Sequence, residues 1–477
     1  MKLIAFAASL LVLHMDFNSV LMRKDVIVSH LREAAKCGYN AVLWEVEDKI
    51  RWETCPECAR FEAFSKSEFR GILDEADRLG LEPIPLLQTF GHAEYVLEQD
   101  RYRSLRESPE NPVLYCVSKP DVRSFLTRFL AEYLDLFGSK VRYFHLGGDE
   151  ARGFGSCPVC SKRDHLGLYV EHLQAMAAVL RARGVRPCIW CDMMLTGAKD
   201  ADQLRTRVRS FPEDVMAWYW DYYHGSAGQN GSLWANRLDY LTDEGFDVVL
   251  APAAASCGDS PFLPLYRRHA ANVAAMADLA RERKLAGLCV TSWSVHLSPK
   301  CLQYPLWDLA ARRFRSSDRS VMEDLSFVRR SRLGDVSAET LFALTDWSAK
   351  LGSFDSRFGT LCAKWARPKP EGSAERIVAA AQKDPAGELP DAETVRKMLQ
   401  GVSGALAELE SRPRTKELDV FVDGARLVME QGRAILSVMD GVKPAPLDGE
   451  RLARFYAREQ TWQSATNSAA LVRNPLL

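Results

Sequence analysis

The 477-residue chain has no excess charge of either sign, because 62 Lys and Arg residues oppose 63 Asp and Glu residues. A protein without a basic surplus has no electrostatic reason to bind nucleic acid or an anionic membrane surface. No apolar stretch after the first residues is long enough to cross a bilayer. No G-x-G-x-x-G segment follows the first predicted strand, and this disfavours a dinucleotide-binding sheet. We therefore expect no nucleic acid or membrane partner.

The first residues resemble a signal peptide, because Met1-Lys2 is followed by an apolar run to Leu13. The run continues into Leu11–Phe17, however, which has the composition of a strand. Cleavage near Ala8 would remove half of that strand. We therefore predict a first strand and a cytoplasmic protein, with export as the alternative.

Short β-rich runs alternate with amphipathic helical segments over the first two-thirds of the chain, which predicts a parallel α/β fold. The predicted strands are Leu10–Asp16, Ala41–Glu47, Glu82–Thr89, Val141–Gly148, Val185–Cys191, Asp214–Trp220, Asp247–Ala254 and Gly287–Trp293. The predicted helices are Val26–Cys37, Ser65–Leu79, Pro120–Phe137, Gly167–Arg183, Gly231–Glu244 and Tyr266–Lys284. Eight strands that alternate with helices over this length predict a (β/α)₈ TIM barrel at residues 1–315, with a doubly wound open sheet as the alternative.

The strand pattern stops near residue 316, and helical periodicity takes its place. The predicted helices there are Ala338–Leu351, Ser373–Gln382, Asp391–Ser411 and Glu417–Leu436. We predict a mostly helical C-terminal domain at residues 316–477. Its expected role is structural, with a homodimer contact as the second choice.

Two adjacent carboxylates, Asp149 and Glu150, follow the apolar strand and two glycines in Tyr143-Phe144-His145-Leu146-Gly147-Gly148. Successive side chains of a strand point to opposite sides, so such a pair can place two acids in one pocket with different tasks. In a (β/α)₈ barrel the catalytic groups lie at the carboxyl ends of the strands. We therefore expect this pair at the active-site edge, although an acidic turn without function is the simpler alternative.

Most of the other predicted strand ends carry aromatic and acidic residues. They include Asp16, Trp44, Asp48, His92, Trp190, Asp192, Trp218, Tyr219, Trp220, Asp221, Tyr222 and Trp293. The apolar face of a sugar ring packs on Trp and Tyr, while its hydroxyls bind carboxylates. This combination predicts a carbohydrate substrate.

Several of these segments resemble those of glycoside hydrolase family 20, the β-N-acetylhexosaminidases, and in particular its hexosaminidase D branch. They are His145-Leu-Gly-Gly-Asp-Glu150, Ile84-Pro-Leu-Leu-Gln-Thr-Phe-Gly-His-Ala-Glu-Tyr95, Trp44-Glu-Val-Glu-Asp48, Trp190-Cys-Asp-Met-Met194 and Trp220-Asp-Tyr222. Their order and spacing fit across residues 10–315. The resemblance implies exo-hydrolysis of terminal N-acetylhexosamine β-glycosides by a substrate-assisted retaining mechanism that needs no catalytic cofactor.

The resemblance also implies residue roles. Glu150 is expected to be the general acid and base, and Asp149 is expected to orient the substrate acetamide. A tyrosine, either Tyr219 or Tyr222, is expected to donate a hydrogen bond to the acetamide oxygen. The remaining expected substrate-binding residues are Asp48, His92, Trp190, Trp220, Asp221 and Trp293. Of these, Asp48 and His92 are expected to hydrogen-bond around the catalytic acids. Val295 stands where many members carry an acid, and the preference for N-acetylglucosamine or N-acetylgalactosamine stays open.

Four cysteines form two C-x-x-C pairs, Cys55 with Cys58 and Cys157 with Cys160, which follow the second and fourth predicted strands. Four thiolates from two such turns suit tetrahedral zinc, and four protein ligands leave no open position for catalysis. We predict a structural zinc site that joins the two loops. Disulfides in an exported protein, or unrelated cysteines, are the alternatives.

Two other functions fit parts of the same pattern. A non-catalytic carbohydrate-binding barrel would keep the aromatic residues without using the acids. A metal-dependent barrel hydrolase would use His14, Asp16, Glu47 and His145, since a first-strand His-x-Asp suits a metal.

Overall fold

Eight parallel strands close into a barrel in the computed structural model. The structure describes residues 9–151, 153–226, 235–256, 258–293, 297–316, 318–364, 391–440 and 446–473. The signal-like start at residues 1–8, the predicted helix Ser373–Gln382, the first residues of the predicted helix Gly231–Glu244, and Val295 lie outside the described residues. Cytoplasmic localisation therefore stays a prediction.

The strands follow the predicted order. They are β1 Leu10–Asp16, β2 Ala41–Glu45, β3 Glu82–Leu86, β4 Arg106–Ser108, β5 Asn111–Tyr115, β6 Tyr143–His145, β7 Arg186–Trp190, β8 Met216–Trp220, β9 Val248–Ala251, β10 Ala253–Ala255 and β11 Gly287–Ser292. The barrel order is β1, β2, β3, β6, β7, β8, β9 and β11, and β11 pairs in parallel with β1. The predicted (β/α)₈ barrel and its eight strands are thus confirmed.

The barrel strands are buried on both faces, as their near-continuous apolar sequences predict. Every residue of β1 and β2 is buried, including His14, Asp16 and Glu45. Polar side chains therefore enter the barrel interior on these strands. His14 Nε2 lies 3.1 Å from Glu45 Oε2, and the Gln88 amide donates to Glu45 Oε1 over 3.2 Å.

Helices flank the strands and make up the C-terminal part. They are α1 Lys24–Cys37, α2 Lys66–Arg78, α3 Glu94–Leu97, α4 Pro120–Phe137, α5 His165–Arg181, α6 Asp192–Leu195, α7 Ala201–Arg209, α8 Leu238–Asp243, α9 Tyr266–Glu282, α10 Tyr304–Arg315, α11 Val321–Leu333, α12 Ala338–Lys364, α13 Ala392–Glu410, α14 Lys416–Met439, α15 Gly449–Tyr456 and α16 Trp462–Val472. Local signals set several ends. Helix α2 begins with a capping box between Ser65 and Glu68, and α4 begins at Pro120 and ends before Gly138. No helix in the described part of the chain is long and apolar enough to cross a membrane.

The chain divides into two compact units. The first contains Met1–Asp16, Ala34–Pro252 and Met276–Val290, and the second contains Phe17–Glu33, Ala253–Ala275 and Thr291–Leu477. The first unit holds the barrel strands up to Val290. The boundary predicted between residues 315 and 316 falls inside the second unit, and it stays a prediction of domain organisation.

The second unit is mostly helical. Within it, Tyr266 packs against Phe421, and the backbone N–H groups of Lys300 and Cys301 both donate to the Glu459 carboxylate over 2.7 Å. The predicted helical character of the C-terminal region is confirmed.

Candidate active site

The two glycines after β6 allow the turn that presents the acidic pair. Gly147 and Gly148 have φ angles of 68° and 96°, a region that favours residues without a Cβ. A Cβ on Gly147 would overlap the Gln88 side chain, and one on Gly148 would overlap the Tyr169 hydroxyl. That hydroxyl donates to the Gly148 carbonyl over 2.7 Å. The turn is therefore specified both by backbone conformation and by close neighbours.

Positive φ angles recur in non-glycine residues at this edge of the barrel. Glu47, His92 and Glu150 have φ angles of 40°, 51° and 45°, and they follow β2, β3 and β6. Such conformations cost free energy in non-glycine residues and are concentrated at functional sites. Three of them at neighbouring strand ends mark this edge as the candidate active site.

His92 connects the two predicted catalytic acids. Its Nε2 lies 3.4 Å from Asp149 Oδ2 and 3.8 Å from Glu150 Oε2. Burial acts to raise the pKa of Asp149, but the charge and hydrogen bond of His92 outweigh it, and the pKa falls below its ordinary value. Asp149 is thus an ionised carboxylate, while the Glu150 side chain keeps 36% of its surface exposed.

A third carboxyl group, on Asp192, completes the acidic cluster. Asp192 Oδ2 accepts a hydrogen bond from the Glu150 backbone N–H over 2.9 Å. Burial, and then the charge of Asp149, raise the pKa of Asp192 to about 7. Asp192 therefore belongs to the candidate active site, although it was not among the site residues predicted from the sequence. The available signal was its position two residues after Trp190, at the end of β7.

The strand-end tryptophans have different surroundings. Trp190 and Trp218 are fully buried around His145, with ring centroids 4.4 Å and 5.0 Å from its imidazole. His145 Nδ1 accepts the Gly147 N–H over 3.1 Å, and burial lowers the pKa of His145 to about 3. Trp190 therefore belongs to a packed layer around a neutral histidine.

Trp220 is only half-buried, and it lies beside the predicted tyrosines. It stacks on Tyr222 with ring centroids 5.1 Å apart. Asp221 is buried and accepts the Tyr223 N–H over 3.1 Å. Tyr219 is buried as well, and this burial raises the pKa of its hydroxyl. The end of β8 thus presents a half-buried tryptophan stacked on a buried tyrosine, together with a buried carboxylate.

Acidic and aromatic residues thus follow β6, β7 and β8 at one edge of the barrel. The family model for the catalytic domain of glycosyl hydrolase family 20 matches residues 44–308. The chain belongs to glycosyl hydrolase family 20. That match begins at the end of β2 and includes β3 to β11, and therefore Asp149, Glu150 and Asp192.

Two relatives of this family 20 chain are both named Hexosaminidase D. The Bos taurus protein is 32% identical over 205 residues, which cover 40% of this chain and 58% of that protein. The Homo sapiens protein is 30% identical over 194 residues, which cover 39% of each. The chain thus spans between about two-fifths and three-fifths of the length of these curated relatives. The predicted resemblance to the hexosaminidase D branch is confirmed.

A solved structure agrees with the fold. The β-N-acetylhexosaminidase from Bacteroides fragilis NCTC 9343 matches with a TM-score of 0.52 and 16% identity, over 68% of this chain and 70% of that one. Identity this low supports the barrel fold alone.

Two other predicted substrate-binding residues remain untested in that role. Asp48 is buried and forms ion pairs with Lys49 and Arg60, and the charge of Asp48 raises the pKa of Arg60. Trp293 is in the second unit, where its backbone N–H donates to the Ala255 carbonyl over 3.1 Å. Their contacts with a sugar stay predictions.

The zinc site predicted from Cys55, Cys58, Cys157 and Cys160 stays a prediction, and the structure groups two of these cysteines with other residues. Cys55 and Cys58 are bonded to each other, with Cα atoms 5.6 Å apart. Cys157 and Cys160 instead lie with Cys116 and Glu107, and one ligand atom from each lies within 4.8 Å of the others. The reason is the β4–β5 hairpin, which the sequence did not predict and which carries Glu107 and ends beside Cys116.

The structure brings together only two of the four ligands proposed for a metal-dependent hydrolase. His14 and Asp16 lie together with Glu45, another buried residue that could share a metal. Of the other two residues in that hypothesis, His145 accepts the Gly147 N–H, and the Glu47 carbonyl accepts the Trp52 indole N–H over 2.7 Å.

Proposed function

We propose that this chain is an exo-acting β-N-acetylhexosaminidase that cleaves terminal N-acetylglucosamine or N-acetylgalactosamine from β-glycosides. One observation carries the proposal. Asp149 is a buried, ionised carboxylate beside His92, and its Oδ1 has no hydrogen-bond partner among the described residues. An unsatisfied buried acceptor is costly, and a substrate acetamide N–H would satisfy it.

The proposed reaction has two steps. In the first, the substrate acetamide oxygen attacks the anomeric carbon while Glu150 donates its proton to the departing glycosidic oxygen. The product is a cyclic oxazolinium ion, and the Asp149 carboxylate offsets its positive charge. In the second, Glu150 takes a proton from water, which attacks the anomeric carbon and opens the ring. Two displacements at one carbon retain the β configuration.

The surrounding side chains support this assignment. His92 keeps Asp149 ionised, and Asp192 holds the backbone N–H of Glu150 in place. We propose that Trp220 packs on the sugar face and that Asp221 accepts a sugar hydroxyl. Either Tyr219 or Tyr222 would donate to the acetamide oxygen, so Tyr219→Phe and Tyr222→Phe should differ in their loss of kcat.

Catalysis of this kind uses the chain's own residues and the substrate acetamide. We therefore propose that no cofactor takes part, and that any bound zinc has a structural role. A carbohydrate is the proposed partner, while a homodimer stays a prediction.

The decisive experiment is the Glu150→Gln variant with a panel of aryl β-glycosides that carry or lack the 2-acetamido group. The wild type should cleave only those with the acetamide. Glu150→Gln should lose activity by a factor of about 100 or more, since general acid catalysis contributes about that much. Glu110→Gln, an exposed carboxylate in the β4–β5 turn, is the matched control and should retain activity.

Three outcomes would contradict the proposal. Unchanged turnover in Glu150→Gln would exclude Glu150 as the general acid. Equal cleavage of glycosides without the acetamide would remove substrate assistance. Glycan binding by a wild type that cleaves nothing in the panel would favour the non-catalytic carbohydrate-binding barrel.

A further inference from the structure

We propose that Glu107, Cys116, Cys157 and Cys160 form a structural zinc site that joins the loop carrying His92 to the loop carrying Asp149 and Glu150. The metal-binding part of this inference does not depend on the proposed glycosidase activity. It differs from the site expected from the sequence, because a carboxylate and Cys116 replace Cys55 and Cys58.

The geometry of the cluster suits a tetrahedral metal. Cys116 Sγ lies 3.6 Å from Cys157 Sγ and 3.8 Å from Cys160 Sγ, and Cys160 Sγ lies 3.7 Å from Glu107 Oε2. A tetrahedron with Zn–S bonds of about 2.3 Å has S···S edges of about 3.8 Å, whereas a disulfide bond is about 2.05 Å long. The sulfur atoms therefore have the spacing of ligands around a shared ion.

Burial and charge indicate the same conclusion. Glu107, Cys116 and Cys160 are 3%, 1% and 0% exposed, and Cys157 is 9% exposed. Among the described residues, no Lys, Arg or His forms an ion pair with Glu107. A buried carboxylate without a cation is costly, and three cysteines cannot all pair as disulfides with one another. A divalent cation would neutralise the carboxylate and use all three sulfurs.

The neighbouring polar groups are arranged around the ligand atoms. The Cys160 N–H donates to Cys157 Sγ over 3.3 Å, and the Cys157 N–H donates to Glu107 Oε1 over 3.0 Å. The Ser118 hydroxyl lies 3.0 Å from Cys160 Sγ, where it can donate to a thiolate. Such outer hydrogen bonds orient metal ligands and stabilise their charge. Sulfur-rich tetrahedral coordination favours zinc among the common divalent ions.

The cluster is connected to the candidate active site by short stretches of backbone. Cys116 directly follows Tyr115, whose N–H donates to the Phe90 carbonyl over 3.0 Å, and the Ala93 N–H donates to the Val113 carbonyl over 3.1 Å. The β5 strand thus holds both sides of His92. Cys157 belongs to the loop that begins with Asp149 and Glu150. A metal joining Cys116 to Cys157 would therefore fix His92 against the acidic pair.

The test measures metal content of the purified full chain by elemental analysis after expression in zinc-supplemented medium. We expect one zinc per chain in the wild type. Cys116→Ser and Glu107→Gln should each bring the zinc content close to zero or weaken its retention against a chelator. Cys55→Ser should leave it unchanged, and Cys301→Ser, a half-buried cysteine in the second unit, is the matched control.

Several results would overturn the proposal. They are a wild type without zinc, a wild type with iron instead, or loss of zinc in Cys55→Ser but not in Cys116→Ser. Cobalt substitution gives a measurement on the wild type that does not depend on whether a variant folds. The cobalt-substituted wild type should show sulfur-to-cobalt absorption, and Glu107→Gln should change the visible spectrum. Removal of zinc should lower kcat more than it raises KM if the site orients His92. If the wild type binds zinc but cleaves no glycoside, the proposed function fails and the metal site stands.

Discussion

The raised pKa of Asp192 gives this residue a contribution to stability that falls as the pH rises, opposite in sign to that of the carboxyls whose pKa is lowered. Its folded-state pKa is about 7 against an ordinary value of 3.8. Between these values the native state keeps a proton that the unfolded chain releases. The contribution of Asp192 to the free energy of unfolding should therefore fall as the pH rises from about 4 to about 7, and this loss should be complete above pH 7.

The substitution Asp192→Asn removes the titration while keeping an oxygen that can accept the Glu150 N–H. A pKa increase from 3.8 to about 7 corresponds to about 4 kcal/mol at 1.36 kcal/mol per pH unit, and we take this as the upper limit. The variant should match the wild type near pH 4 and exceed its free energy of unfolding increasingly up to pH 7. The physical cause is that a neutral amide avoids the cost of burying a charge, and it also avoids repulsion by the neighbouring Asp149 carboxylate.

The assay is urea unfolding followed by tryptophan fluorescence at several pH values between about 4 and 8. Trp190 and Trp218 are buried in the barrel and report on its unfolding. The control is Asp214→Asn, whose hydrogen bonds from Arg181 lower the pKa of the Asp214 carboxyl. Because this ion pair is exposed, Asp214→Asn should lower the free energy of unfolding near neutral pH, by less than about 1 kcal/mol. A difference between Asp192→Asn and wild type that stays constant with pH would refute the reasoning.

Two further substitutions test the edge of the site. His92→Asn removes the imidazole that lies 3.4 Å from Asp149 but keeps a residue type that tolerates positive φ. The kcat should therefore fall by about 10-fold or more, while the melting temperature changes little. An unchanged kcat would contradict the role of His92. Gly148→Ala would force a Cβ into the Tyr169 hydroxyl at a φ of 96°, so it should destabilise by about 2 kcal/mol or more in thermal unfolding. Gly80→Ala, at a φ of 73° with open space around its Cβ, should cost only about 1 kcal/mol, and equal losses would show that the Tyr169 contact is unimportant.

The barrel was predictable because its strands are buried on both faces and alternate with amphipathic helices. Pro120–Phe137 has the predicted bounds, since proline starts the helix and Gly138 follows its end. The β4–β5 hairpin was missed, because a strand of three residues carries no measurable period and Pro112 interrupts the next one. Helices α10 and α11 were missed for a different reason, since the predicted change of domain at residue 316 falls between them.

The position of the acidic pair was likewise predictable. Gly147 and Gly148 mark a turn directly after a buried strand, and the two acids follow that turn. Asp192 could be seen as a strand-end acid. Its pKa near 7 depends on burial and on Asp149, which lies on another strand end, and no local pattern encodes that contact.

The sequence by itself therefore determined the barrel, the family and the position of Asp149 and Glu150, since periodicity, turn glycines and local motifs are properties of neighbouring residues. Only the tertiary structure decided which distant groups meet. It brought the Asp192 carboxylate to the backbone N–H of Glu150, and it brought Glu107 and Cys116 to Cys157 and Cys160. The physical reason is that loop conformation and strand closure set distances between residues far apart in the chain, and those distances decide charge and coordination.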